Sequence, residues 1–397
     1  MSEHEGFDIS RYVPVRSLWV LQLYASSAFS CGAVADSGVD DPDAEIPLLV
    51  AELLCGAVEQ RMQRELTIGF TRTQRNLNRM RGKINVLPTL RGQLLEKGQI
   101  NCTFNDLTVD SPVNRYLLRA LNRAATTVQA MKKAGQRDGT LTSGQAKEVA
   151  ALAARARRLC RTLTNSGVPF QADAPEPRGR LSRQDRKPVA LATLMLQLLL
   201  PDRGTGHASV KRSDLSEEKL RTLFEAALLG IYRFYLTPQG WQVHGAKDIH
   251  WAVDDVSDEA AGHRPALPRM RTDITLVDPA ERLVIVDAKF TTMAVTGRHG
   301  DKPTLKSQYL YQIHSYVTMA QRNPDQLRGV SAGEKKVAGV MVFAALGTEE
   351  RQEFPRHQEW VMNGHPMAFS ALDLMGSARA IRDDALAAVD TGDNRST

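Results

Sequence analysis

The segment from Arg271 to Lys289, RTDITLVDPAERLVIVDAK, leaves little choice of conformation other than a β-hairpin. Leu283, Val284, Ile285 and Val286 form an unbroken, mostly β-branched apolar run, the mark of a buried central strand, and the run ends in Asp287-Ala288-Lys289. Thr272 to Val277 alternates in polarity, and Asp278-Pro279-Ala280 supplies turn residues. A hairpin centred on Ala280 sets Asp273 opposite Asp287, with Cβ atoms about 4.5–5.5 Å apart. Lys289, two residues after Asp287, points to the same face.

Opposed carboxylates at the end of a buried strand repel unless something offsets them, and a divalent cation does so. Mg²⁺ takes oxygen ligands, typically one or two carboxylates with water and substrate phosphate completing the shell. A lysine beside it orients a metal-bound water or stabilises charge growing on phosphorus. The bare pattern of acid, any residue and lysine carries little weight alone, since it also occurs at Asp185–Lys187, Glu217–Lys219 and Glu334–Lys336. Only the Asp287 copy follows a buried strand and has a second Asp at the matching hairpin position. A surface salt-bridge pair is the competing reading.

Two helices bear on that choice. Residues 214 to 235 open with Asp214 and Glu217 at capping-box spacing, and Leu220, Leu223, Phe224, Ala227, Leu228 and Ile231 form one apolar stripe. Glu225 borders the stripe, either as a solvated flank residue or as a further ligand for metal or water. Ser307 to Gln321 forms a second helix with Gln312 and Tyr316 on one face, a spacing that also suits an interfacial tyrosine with a polar neighbour.

In this order, Glu225, Asp273, Asp287-Ala288-Lys289, Gln312 and Tyr316 resemble the PD-(D/E)xK nuclease core in its version with a Gln-x-x-x-Tyr helix. RMRTDITLVDPAERLVIVDAKF followed by LYQIHSYV resembles the McrC family, the nuclease subunits of McrBC-type modification-dependent restriction systems. VPVRSLWVLQLYAS (Val13 to Ser26) and the stretch from Arg81 to Leu121 are similar to the amino-terminal region of that family. The resemblance implies a Mg²⁺ or Mn²⁺ ion held by Asp273 and Asp287, with Glu225 completing the shell. It further implies Lys289 assisting the attacking water, and Gln312 and Tyr316 positioning the hairpin or the scissile phosphate. The partners it implies are a hexameric AAA+ GTPase of the McrB type, entered and stimulated by the amino-terminal region, and double-stranded DNA whose methylated cytosine the partner reads.

The expected fold is α+β: an amino-terminal adaptor domain over 1–165, a Pro/Arg-rich linker over 166–187, and a PD-(D/E)xK domain with a mixed sheet over 188–397. Helices are expected over Val13–Ser30, Ile46–Gln63 and Arg91–Gln99, and from Pro112 with Ser111 as N-cap, and an acidic loop over Asp36–Glu45. Arg64–Phe70 and Gly82–Val86 read as strands joined by TRTQRNLNRMR, too polar for a core and therefore a projecting basic finger. Arg75, Arg79, Arg81 and Lys83 are its candidate partner-binding residues, against partner protein or DNA alike. The chain has no G-x-x-x-x-G-K-[ST] loop, so a nucleotide-driven motor would act in trans.

Charge is uneven. Lys132 to Lys187 carries 13 Lys or Arg and 5 Asp or Glu, a surplus larger than the whole chain's +6. Such a segment either tracks phosphates or forms a solvated helix, with coil from Pro169 to Pro188. Cys31, Cys55, Cys102 and Cys160 show neither zinc spacing nor a disulfide framework. The apolar run Val189–Leu200 is too short to span a bilayer, so a cytoplasmic protein is expected. The alternative to a nuclease is a nuclease-inactive activator or scaffold subunit of an AAA+ NTPase; a plain DNA-binding module is disfavoured because aromatics do not interleave with the basic segment.

Overall fold

A computed structural model of the chain describes residues 14–34, 45–64, 66–198, 216–251, 267–290, 295–296, 304–322, 337–345 and 356–390. The chain divides into two compact units: Val50–Leu196 is one, and the segments up to Leu49 and from Gln197 onward together form the other. The expected boundaries at 165 and 187 therefore differ from the observed ones, and the reason lies in the first helix. Helix α1 (Val15–Ala25) buries Val15, Leu18, Trp19, Leu21, Leu23 and Tyr24, and so must be enclosed; it belongs to the carboxy-terminal unit. The expected helix over Val13–Ser30 breaks at Ser26, whose extended backbone ends α1 and whose hydroxyl caps α2 (Ser27–Ser30). The acidic loop expected over 36–45 lies, but for Glu45, outside the described residues.

Helix α3 (Ile46–Arg64) leads into the inserted unit. There β1 (Gly69–Leu77), β2 (Lys83–Ile84), α4 (Val86–Arg91) and β3 (Ile100–Thr108) follow. The three strands form an antiparallel sheet in the order β1-β3-β2, so the expected pairing of the finger strands with each other is corrected: both pair with β3. TRTQRNL is strand rather than connection. Its polar residues are tolerated because almost all of β1 is exposed or only half-buried. The expected helix over Arg91–Gln99 is replaced by α4 and a 3₁₀ turn at Leu95–Lys97. Two long helices, α5 (Pro112–Arg137) and α6 (Ser143–Asn165), pack together, α5 opening on Ser111 as N-cap with Pro112 at the first position. Helix α7 (Arg183–Gln197) begins inside the stretch expected as coil.

Helix α8 (Glu217–Leu236) opens on Ser216, whose hydroxyl accepts from the Lys219 amide; the cap is this serine rather than Asp214, which lies outside the described residues. The α1 backbone crosses α8 at Gly230, where an added Cβ would stand 2.0 Å from the Tyr24 carbonyl oxygen. After β4 (Gln242–His244) and the short pair β5 (Asp248–Ile249) and β6 (Met270–Arg271) come β7 (Ile274–Val277) and β8 (Leu283–Lys289). A two-stranded pair, β9 (Val295–Thr296) and β10 (Thr304–Leu305), precedes α9 (Ser307–Arg322), then β11 (Ala338–Ala345), β12 (His357–Met362), β13 (His365–Asp373) and α10 (Ala378–Val389). The sheet runs β12-β13-β11-β8-β7-β4, parallel at β8/β11 and β11/β13 and antiparallel elsewhere. The expectation of an α+β chain with a mixed sheet is met.

Central strands β8 and β11 are buried on both faces, which is why they read as continuous apolar runs. Ile285 and Leu283 share a cluster with Ile313, Tyr316 and Val317 of α9. Phe290, on the alternate side of the pleat, meets Phe224 of α8 at 5.9 Å between ring centres. Gly339 lets α9 lie close: a Cβ there would fall 2.8 Å from Ile313 Cγ1 and 2.9 Å from Val317 Cγ1. Among the described residues no helix is long and apolar enough to cross a membrane.

Candidate active site

The hairpin has the register read from the sequence. Ile274 pairs with Val286 and Val277 with Leu283, so every pair is symmetric about Ala280. A tight turn holds it: Glu281 adopts φ 61°, Asp278 Oδ1 accepts from the Arg282 amide at 2.8 Å, and Asp278 Oδ2 accepts from Arg282 Nε at 3.0 Å. Asp273 precedes β7 by one residue, at the next step of this register, where Asp287 is the facing position. Its Oδ2 accepts from the Ala288 amide at 2.9 Å, tying it to the neighbouring strand.

Asp287 is buried, with 1 % of its surface exposed. Lys289 Nζ donates to its Oδ1 at 2.9 Å and lies 2.9 Å from Oδ2, which receives no directed hydrogen bond. The same ammonium donates to Gln312 Oε1 at 2.9 Å, and Gln312 Nε2 donates to Tyr316 Oη at 2.9 Å. Gln312 and Tyr316 are thus chained to the lysine, with the amide orientation fixed by having a donor on one side and a hydroxyl on the other. Glu225, on α8, pairs with Arg221 at 3.4 Å.

All three carboxyls sit above the usual carboxylate range. Burial is the largest cause for Asp287, pushed up to about 7; Lys289 opposes the shift, and Asp273 and Glu225 reinforce it. Burial also raises Asp273, against the Ala288 amide and the charges of Lys289 and Arg221. Glu225 is raised by burial and then by Asp273, with Arg221, Lys289 and Arg271 opposing. One lysine does not neutralise this group. The Tyr316 phenol is raised by burial first, against its bond from Gln312, with Asp287 and Asp273 adding to the rise.

Oxygen-only donors, with Asp287 Oδ2 beside the Lys289 ammonium but taking no directed hydrogen bond, suit a hard cation such as Mg²⁺ or Mn²⁺. Among the described residues no three acidic, histidine or cysteine side chains already converge as a metal cage. Two carboxylates suffice for Mg²⁺, which keeps several waters.

The sequence did not single out Arg221, although its i, i+4 spacing to Glu225 is an ion-pair signal, nor Tyr309, whose ring lies 5.6 Å from Lys289 Nζ. The finger candidates are separate from this site. Arg75 lies on β1 opposite Cys102, and Lys83 on β2 opposite Thr103. Arg81 donates to Asp106 at 3.0 Å and stacks 4.1 Å above Phe104, and Arg79 is exposed in the connection between the strands.

Residues 18–327 match the family described as McrBC 5-methylcytosine restriction system component. The chain is 22% identical over 325 residues to the type IV methyl-directed restriction enzyme EcoKMcrBC of Escherichia coli K12, an alignment covering 80% of this chain and 85% of that protein. Among solved structures it is similar to a chain in the assembly of Thermococcus gammatolerans McrB AAA+ hexamers with bound McrC. The TM-score is 0.43 and the identity 13%, over 91% of this chain and 75% of that one. The match over most of its length establishes that this chain belongs to the McrBC 5-methylcytosine restriction system component family.

Proposed function

We propose that this chain is a metal-dependent DNA endonuclease subunit of the PD-(D/E)xK type. The observation that carries the reading is Asp273, tied to the Ala288 amide, facing buried Asp287 with Lys289 beside it at the end of one strand, while the charge of Glu225 on α8 reaches Asp287. Asp273 and Asp287 would hold Mg²⁺ or Mn²⁺, with Glu225 contributing directly or through water. A bound ion would supply Lewis-acid polarisation of a phosphodiester oxygen and a more acidic water. Lys289, oriented by Gln312, is placed to steer the attacking water or to meet the charge that grows on the phosphate. Tyr316 holds Gln312 in that orientation.

The cutting would depend on a partner. Membership of the 5-methylcytosine restriction family is the ground on which we assign this chain a partner, a GTP-driven AAA+ ring of the McrB type acting on double-stranded DNA with methylated cytosine. The finger favours protein over phosphate as its contact. Phe70, Met80, Leu87 and Leu90 are exposed around it, at 74%, 69%, 66% and 58%, and exposed apolar surface of this kind marks protein–protein contact rather than phosphate binding. A cytoplasmic setting accords with this role. The test is cleavage of methylated plasmid by the chain with its ring partner, GTP and Mg²⁺. The wild type should cut, and Asp287→Ala should not while retaining fold and partner binding; cutting by Asp287→Ala overturns the reading.

A further inference from the structure

The inserted unit contains a second charged site that the nuclease reading leaves unused. A cavity of about 450 Å³ opens where α3 meets the start of α7, lined by Gln60, Arg61, Arg64, Arg183, Gln184 and Lys187 among others. Arg61 is the fixed member, with only 9% of its side chain exposed. Its Nε donates to Asp185 Oδ1 at 2.8 Å and its Nη2 to Thr67 Oγ1 at 2.8 Å. Thr67 and Ser182 in turn donate to Asp185 at 2.7 and 2.6 Å, so three donors already hold the carboxylate that fixes Arg61.

The third arm of the fork, Nη1, is buried and has no acceptor. A buried guanidinium donor left unmet is costly, so this one leaves room for an acceptor from outside the network. Arg64, Arg183 and Lys187 stand exposed at the same cavity, and among the described residues none is paired with an acid. Four cations thus surround a space whose single buried carboxylate is already committed. The first turn of α7, already capped by the Ser182 hydroxyl, adds the positive end of the helix.

We propose that this cavity is an anion site that takes a backbone phosphate of duplex DNA. The chemistry of the site selects a phosphate: a planar guanidinium with one open donor, flanked by exposed cations and two glutamine amides, matches a tetrahedral oxyanion. A polymer is favoured over a free ion because Arg178, Arg180 and Arg186 continue the exposed charge along the chain on either side of Arg183. That DNA is the polymer rests on the function proposed above; the anion site rests on its own geometry. Its role is to hold substrate on a surface remote in sequence from the carboxylates that cut it.

The experiment uses the full chain with the exposed pair exchanged, Arg183→Gln with Lys187→Gln, leaving Arg61 and its network intact. A control of equal charge, Lys132→Gln with Lys133→Gln, lies on α5 of the same unit. Binding of a fluorescent duplex is measured by anisotropy in EDTA across a salt series. The expected result is affinity about ten-fold weaker for the first pair than for the control, with the log–log salt slope shallower by about 0.9 for each phosphate no longer neutralised. Equal reductions in both pairs, or none in the first, overturn the proposal. Unchanged duplex affinity with weakened stimulation of the partner NTPase also overturns it and reassigns the cavity to an acidic protein segment. A wild type that binds no duplex defeats the DNA reading itself, a result distinguishable from the others because it precedes any substitution.

Discussion

Lys289 Nζ lies 2.9 Å from the carboxylate of Asp287, two residues earlier on the same strand and the same face. The pleat alone brings them together, so the pair survives any movement that leaves β8 in the sheet. The two residues nevertheless have separable tasks. Lys289→Ala should lower turnover by about 10²–10⁴-fold, the usual range for a proton-handling or charge-stabilising group, while Mg²⁺ still binds. Calorimetry that showed Mg²⁺ affinity abolished instead would make the lysine part of the metal site.

The raised carboxyl of Asp287 gives the metal-free protein a signed pH dependence. Its folded value of about 7 exceeds the ordinary aspartate value of about 3.9, so folding takes up protons. The contribution is fully present below about pH 4 and is lost as pH rises through 7. Asp273 and Glu225, shifted the same way, add to the slope. In EDTA the melting temperature should therefore fall between pH 5 and pH 8. Asp287→Asn should flatten the decline and melt higher at pH 8, by roughly 2–4 °C per kcal/mol recovered. A flat wild-type profile would contradict the burial argument.

Gln312 joins Lys289 to Tyr316, and its replacement should resemble a milder loss of the lysine. Gln312→Ala is expected to reduce turnover about ten-fold with little change in melting, since the lysine keeps Asp287 but loses its second anchor. Tyr316→Phe should cost less, because Gln312 still accepts from Lys289. Steady-state rates for both variants at saturating Mg²⁺ decide the order; a larger defect in Tyr316→Phe would give the phenol a direct role.

At Gly230 the α1 backbone sits where a side chain would be. Gly230→Ala puts a methyl 2.0 Å from the Tyr24 carbonyl, a clash that only backbone displacement relieves. A loss of about 1–3 kcal/mol or more is expected, read as a lowered denaturant midpoint with unchanged slope.

Replacing Arg75, Arg79, Arg81 and Lys83 with Ala should abolish stimulation of the partner NTPase even without DNA. Part of the loss would come from the finger itself, since Arg81 already bonds Asp106 and covers Phe104. Sparing Arg81 separates the two effects, and the triple variant should retain the wild-type melting temperature. Full DNA-free stimulation in the quadruple variant would assign these residues to DNA.

The carboxy-terminal unit is the more legible in sequence. A β-branched run, a Pro-containing turn and side-chain parity suffice to set the register of β7 against β8, and the structure reproduces it pair for pair. Helix spacing alone likewise put Gln312 and Tyr316 on one face. The finger strands escape a reading from sequence because they are polar: neither face of β1 is buried, so residues such as Arg72 and Arg75, on opposite faces, give no hydrophobic alternation to announce a strand. β3, the central strand that organises it, has buried Cys102 and Phe104 but is interrupted by Asn and Thr. Long-range packing was out of reach. Nothing in VRSLWVLQLYA says that its partner is a helix some two hundred residues later, because an apolar helix advertises burial without naming what covers it.

That pairing makes the finger-bearing module a guest within the gene for its host. Residues 50–196 are interpolated between α1 and α8, so the polypeptide enters and leaves the guest through separate strands of chain. A protein begun at residue 188 would lack the helix that fills the groove beside Gly230, and would display the apolar side chains that Trp19 and Tyr24 should cover. The compact unit that keeps α1 against α8 is discontinuous in sequence, made of the segment up to Leu49 and that from Gln197 onward. The same double tether means that proteolysis at one crossing would leave the two modules still joined by the other.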